Sequence, residues 1–334
     1  MKRAIPLALL LLGAAAWAQA PTEFYKGRTV ELYIGYSVGG GYDIYARLLA
    51  RHMGRHIPGN PVIAPKNMPG AGSLTLANWL YAAAPRDGSV FGTIGRGIAF
   101  DPLLGTQGTK FTATGFGWLG SANDEVSVCA AWGKSGITKF EDLYARAVFI
   151  GGTGAGADTD LFPKAMNSIL GTKMKLVTGY PGGNDITLAM QRGEVEARCG
   201  WSWSSIKSGH AQWVKDGTIK LLVQLSLAKH PDLPDVPLIM DLVKTPEQRA
   251  ILRLVFARQV MGRPFLAPPG LPPGRLALLR RAFMATMKDA AFLAEAEKIK
   301  LEITPVDGEA VQKLVAEIYA TPPDIVRKAA EAVK

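Results

Sequence analysis

Four short stretches place glycines between an apolar run and a helical one: Gly39-Gly40-Gly41, Pro69-Gly70-Ala71-Gly72, Gly151-Gly152-Thr153-Gly154-Ala155-Gly156 and Pro181-Gly182-Gly183. Residues without a β-carbon let backbone N–H groups converge on a ligand, and the helix start beyond them adds partial positive charge. The chemistry on offer is the holding of an anion by main-chain donors. The first turn carries a second possibility, because Gly35-Tyr36-Ser37-Val38-Gly39 has the spacing of a nucleophile elbow, with Ser37 as nucleophile of an exported serine hydrolase and His210 or His230 as base. Against it, Ser37 follows the first strand of the chain beyond its leader, whereas that hydrolase class builds several strands before its elbow. The first Gly-rich turn does not end in Gly-Lys-Ser/Thr, so a phosphate-binding P-loop is excluded. The acid expected about 20 residues beyond a dinucleotide turn is missing too, since residues 58–66 read PGNPVIAPK. Two cysteines and four scattered histidines offer no metal-site spacing, and no cofactor is expected.

Turns of this kind need strands to launch them and helices to receive them. Strand-like and helical runs alternate from Val30 to Ile94 and again from Val126 to Gly200, which predicts parallel sheets with helical crossovers. The helix after the first turn should bury Tyr45, Leu48, Leu49 and His52 on one face, with Asp43 and Arg47 pairing one turn apart. Thr138–Glu141 and Thr245–Gln248 both have the spacing of a capping box and are read as helix starts. Trp201 and Trp203, one residue apart after a strand, would face the same side of an extended segment, as core or as an aromatic wall for a flat ligand.

Lys2 and Arg3, an apolar run from Ala4 to Trp17 and then Ala18-Gln19-Ala20 form a Sec-type signal peptide over residues 1–20, which predicts export to the periplasm. The formal charge of +10 falls to +8 when Lys2 and Arg3 leave with it. The remaining basic residues are scattered, so nucleic acid is not an expected partner, while a small anion suits the bias. Cys129 and Cys199 lie in strand-like segments, and in an oxidising compartment such a pair forms a disulfide or remains two separately buried thiols.

The ordered set Gly39-Gly40-Gly41-Tyr42-Asp43 with Ala46-Arg47, Asn67-Met68-Pro69-Gly70-Ala71-Gly72, Pro85-Arg86-Asp87-Gly88, Tyr180-Pro181-Gly182-Gly183, Gly193-Glu194-Val195-Glu196 and Leu233-Pro234-Asp235-Val236-Pro237, followed by Ala267-Pro268-Pro269-Gly270-Leu271-Pro272, resembles the Bug-type solute receptors of tripartite tricarboxylate transporters. These segments span nearly the whole chain after the leader. The resemblance implies a two-lobed α/β periplasmic binding fold of type II, each lobe a mostly parallel sheet flanked by helices, joined by two crossing strands. Lobe one would comprise 21–125 plus 228–334 and lobe two 126–227.

The resemblance further implies a monomeric, non-catalytic receptor that delivers a di- or tricarboxylate or aromatic carboxylate to membrane permease subunits, or else presents it to a sensor kinase. Carried over by position, backbone amides of Ser37, Gly39, Gly40, Gly41, Tyr42 and Asp43 with Gly70, Ala71, Gly72 and Ser73 would clamp a carboxylate without burying a paired arginine. Thr153, Gly154, Ala155, Asp158 and Asp160, with Tyr180, Gly182, Gly183, Asn184 and Trp201, would read the rest of the ligand. Tyr42 and Asp160 depart from the family pattern, where a small hydroxyl residue and a histidine are usual. Asp158 and Asp160 either cap the following helix or face the cleft, where they would call for a ligand with a hydroxyl or amine.

Overall fold

A computed structural model describes residues 21–334, so the expected signal peptide lies outside the described residues. Eleven strands form two mixed sheets among the described residues. The first runs in the order β11 (Val306–Asp307), β4 (Gly117–Ser121), β10 (Pro264–Ala267), β3 (Val90–Thr93), β1 (Thr29–Ile34), β2 (Val62–Asn67). The second runs β7 (Met174–Val177), β6 (Val148–Gly151), β8 (Ala197–Ser202), β5 (Ser127–Trp132), β9 (Ile219–Leu225). β1 pairs in parallel with β2 and β3, and β6 with β7 and β8, while β10, β5 and β9 run against their neighbours. Strands drawn from both ends of the chain thus share the first sheet, and the chain crosses between sheets at residues 122–126 and 226–263.

Parallel pairing has one consequence that matters for function. Every parallel strand of a sheet ends on the same edge, so the turns after β1, β2, β3, β6 and β7 gather on the two edges where open α/β sheets bind ligands. Helix Gly41–Met53 shows how such a turn is anchored. Tyr45, Leu48, Leu49 and His52 are buried as their spacing predicts, packed over β1 and against helix Pro273–Thr286. Asp43 and Arg47 pair at 2.9 Å, and the same carboxylate accepts from Gly39 N–H and from Asn67 at the end of β2.

Cys129 and Cys199 form a disulfide between the neighbouring strands β5 and β8. The bond closes a loop of 70 residues and pins together the two strands from which the second half of the site is built. In the loop-entropy account a closure of that length stabilises the fold by about 4 kcal/mol.

Two local expectations need correction. Thr138 caps no helix through its side chain; Asp142 instead accepts from the N–H groups of Thr138 and Lys139, and the helix is the short Asp142–Ala145. The capping box at Thr245 forms in full. Trp203 does not continue the strand beside Trp201: it begins helix Trp203–Gly209, where its indole N–H donates to Asp232. Among the described residues no helix is long and apolar enough to cross a membrane.

Candidate functional site

The turn after β1 leads into helix Gly41–Met53 and opens onto a partly open cavity of about 50 Å³ between the two sheets. Gly40, Gly41 and Tyr42 line it from the first sheet, together with Gly95-Arg96-Gly97 at the end of β3. Thr153, Asp158, Gly183, Arg198 and Ser202 line it from the second, and Arg263 enters from the segment just before β10. Gly39 N–H is taken by Asp43, and Ser37 N–H by the Pro181 carbonyl. The N–H groups of Gly40 and Gly41, by contrast, have no partner among the described residues, although they stand at the positive end of a 13-residue helix. A β-carbon at Gly41 would meet Ser205 Oγ and approach the Arg263 guanidinium, so a side chain here would displace both and intrude on the cavity.

Four arginines that the sequence reading did not include converge on this region. Arg96 donates from Nε to Asp158 Oδ2 at 2.5 Å and from Nη2 to Ser127 Oγ at 2.6 Å. Burial is the largest single influence and disfavours its charge, but Asp158, Tyr42 and Glu125 together outweigh it and hold its pKa above the usual arginine value. Arg258, fully buried, faces the other oxygen of Asp158 at 3.4 Å, yet burial dominates and lowers its pKa. Arg263 lies 3.3 Å from Glu125, donates to Ser204 and Ser205, and sits over the rings of Tyr42 and Tyr45. Arg198 has no carboxylate within ion-pair distance among the described residues. Burial, then the charges of Arg263 and Arg96, push its pKa down to about 9.

The remaining expected site residues divide sharply. Tyr42 stacks on Tyr36 and accepts from the Arg96 N–H, so its ring forms a wall of the cavity. Asp43 points away from the cavity and holds the turn instead. Gly70, Ala71, Gly72 and Ser73 all have positive φ, an unusual conformation for Ala71 and Ser73. This turn does not line the cavity: Gly154 abuts Ala71 and Gly72 so closely that a β-carbon there would overlap their backbone. Ala155 is exposed. Asp158 faces the cavity but is already matched by two arginines, so it demands no donor from a ligand. Asp160 serves its own loop, accepting from Gly154 N–H, Thr159 and Thr178, while burial raises its pKa.

Ser37 Oγ donates to Asp185 at 2.6 Å, bridging the sheets rather than forming a dyad with a histidine. Gly182 packs beneath it, and Asn184 donates to the Val38 carbonyl. Asn184 also lines a second void of about 40 Å³, with Trp201, His210 and again Gly40, Gly41 and Arg198. Tyr180 lies outside both voids and reaches Glu194 at 3.4 Å. Trp201 is fully buried and supports the guanidinium of Arg198, 4.7 Å above its ring. Burial and then Arg198 push the pKa of His210 down to about 4.

The mixed two-sheet frame is shared with known proteins. The periplasmic binding protein BugD superposes with a TM-score of 0.75 at 20% identity, covering 91% of this chain and 98% of BugD. The chain has the fold of the Bug-type solute receptors. MatC from Rhodopseudomonas palustris, with bound malate, matches this receptor fold at a TM-score of 0.69 and 18% identity over 90% of this chain and 99% of its own. An adipate-bound protein from the same bacterium gives 0.71 and 19% over 91% and 98%.

In sequence, a UPF0065 protein from the gbd 5′ region of Cupriavidus necator is 42% identical over 82 residues, 24% of each chain. Another from the TAR-I ttuE–ttuC′ intergenic region of Agrobacterium vitis is 26% identical over 249 residues, 69% of this chain and 66% of that one. The chain therefore spans less than two thirds of either curated relative in these matches. No protein-family model matches the chain.

Proposed function

We propose that this protein is a periplasmic receptor, a monomer of two lobes (21–125 with 228–334, and 126–227), that closes on a small organic carboxylate. It passes the ligand to the permease subunits of a tripartite tricarboxylate transporter. The observation that carries the reading is the pair of unpartnered N–H groups at Gly40 and Gly41, at a helix start, opening onto a cavity that also holds Arg198. Main-chain donors with a nearby surplus cation suit an anion and supply no nucleophile–base pair; Ser37 is committed to Asp185. The malate and adipate held by two fold neighbours support the ligand class, and the periplasmic description of BugD supports the compartment. Closure of two sheets over such a ligand is a population shift between open and closed arrangements.

A thermal-shift screen of aliphatic and aromatic carboxylic acids tests this directly, because a ligand that binds only the folded state raises its melting temperature. At least one small carboxylate should raise it by several degrees, and Gly41→Val should abolish that shift while remaining folded. A panel with no effect on the wild-type protein contradicts the receptor reading. A folded Gly41→Val with undiminished affinity contradicts the role of the first turn.

A further inference from the structure

Arg198 occupies a position that three separate physical effects disfavour. It projects from β8 against the start of helix Gly183–Arg192, the positive end of that helix. Nη1 donates to the Gly183 carbonyl at 3.0 Å, while Nε is fully shielded from solvent and has no partner. Arg263 and Arg96 both repel it. Those two arginines have Glu125 and Asp158 as partners, whereas no acid among the described residues comes within ion-pair distance of Arg198. Arg198 is half-buried as a residue while its Nε is cut off from water, and a charge so placed is destabilising unless something pairs with it.

The chain nevertheless supports this guanidinium on several sides. Trp201 lies beneath it, Thr187 Oγ1 is 3.4 Å from Nη1, and a β-carbon at position 183 would push it from where it stands. The neighbouring Cys199 is tied to β5 by the disulfide, which fixes the register of the strand. A cation so costly, so well supported and facing both voids of the cleft has its missing partner in the ligand.

We propose that Arg198 is the specificity-determining residue of this cleft: it pairs with a second anionic group, so the ligand is a compact dianion with one carboxylate on the Gly40–Gly41 amides and another oxyanion on the guanidinium. This deepens, and rests on, the reading of the protein as a carboxylate receptor. The helix start at Gly183 adds to the attraction, so one bound oxyanion relieves all three unfavourable terms together.

The test is calorimetric titration of the full receptor with succinate, malate and adipate, each against its monomethyl ester. The wild-type protein should prefer at least one diacid over its half-ester by about 30-fold or more, the scale on which losing one partner of a buried charge pair acts. Arg198→Met and Arg198→Gln should bring that ratio close to one, and Arg198→Lys should keep part of it. If the wild type binds diacid and half-ester alike, or if the folded variants keep the preference, the proposal is overturned and the receptor reading stands. If none of the acids or esters binds the wild type, this assignment is overturned, while the receptor reading is decided by the wider thermal-shift panel. Unfolding of both neutral variants would show that the charge serves the fold, and would also overturn the proposal.

Discussion

Arg96 and Arg198 enter the same cavity from opposite sheets, each launched from a strand, and their surroundings could hardly differ more. Arg96 finds Asp158 at 2.5 Å and the hydroxyls of Ser127 and Ser202, and its charge is favoured over that of a free arginine. Arg198 finds a carbonyl, a hydroxyl and an aromatic face, and its charge is disfavoured. One arginine is a finished ionic contact between the two sheets; the other is an open valence. The difference teaches that burial of a cation in a cleft does not by itself mark a ligand site. What marks it is the absence of a built-in partner where the fold has taken trouble to hold the charge still.

The largest effect that sharpens this contrast is on stability. Arg96→Met leaves Asp158 buried with only Arg258, at 3.4 Å from one oxygen, and should destabilise the ligand-free protein by about 3–5 kcal/mol. Arg198→Met should leave stability unchanged or raise it by about 1 kcal/mol, since it removes a charge with no partner. Urea melts of the two variants measure the difference, and equal destabilisation would erase the distinction drawn here.

A second effect concerns Asp101, whose buried carboxylate has no hydrogen-bond partner and whose pKa burial pushes up to about 7 despite the nearby Arg258. A folded-state pKa above the unfolded value means the native state binds the extra proton. Its contribution is fully present below about pH 3.8 and is lost as the pH rises through about 7. Asp101→Asn should therefore flatten stability between pH 4 and pH 7, gaining on the order of 2 kcal/mol relative to wild type at the upper end. Parallel stability–pH curves for the two proteins would remove Asp101 from the ionic cluster.

The smallest effect is at His210, beside Arg198. Its pKa is lowered to about 4, so its contribution to stability is present above the unfolded value of 6.5 and is lost as the pH falls toward 4. Because the ring is partly exposed, solvent screening keeps this below about 1 kcal/mol. His210→Gln should soften the acid limb of the melting-temperature profile, and an unaltered limb would show that neither burial nor Arg198 disfavours the charged ring.

Much of the frame was legible in the sequence. The period of Tyr45, Leu48, Leu49 and His52 gave the buried face of the first helix, and the glycine turns gave the ends of the parallel strands. The disulfide was one of two options that composition left open. The charged half of the site was not foreseen, because its members are distant in the chain and meet only when the sheets face each other. Signals were present all the same. Gly95-Arg96-Gly97 is a fifth glycine turn after a strand, and Arg198 interrupts the apolar strand segment VEARCGW. Asp160 and the Gly70–Ser73 turn were misplaced for a different reason. Short polar loops satisfy their own backbone groups first, and whether donors remain for a ligand depends on which opposing loop covers them.

The central claim is that one carboxylate rests on the first turn while a second oxyanion reaches Arg198. A crystal structure of the protein with the tightest-binding diacid tests it most directly. The account predicts one carboxylate within about 3 Å of the Gly40 and Gly41 nitrogens and an oxygen of the other end at similar distance from Arg198. A diacid lying elsewhere in the protein, or lying in the cleft with Arg198 still unpaired, would contradict it.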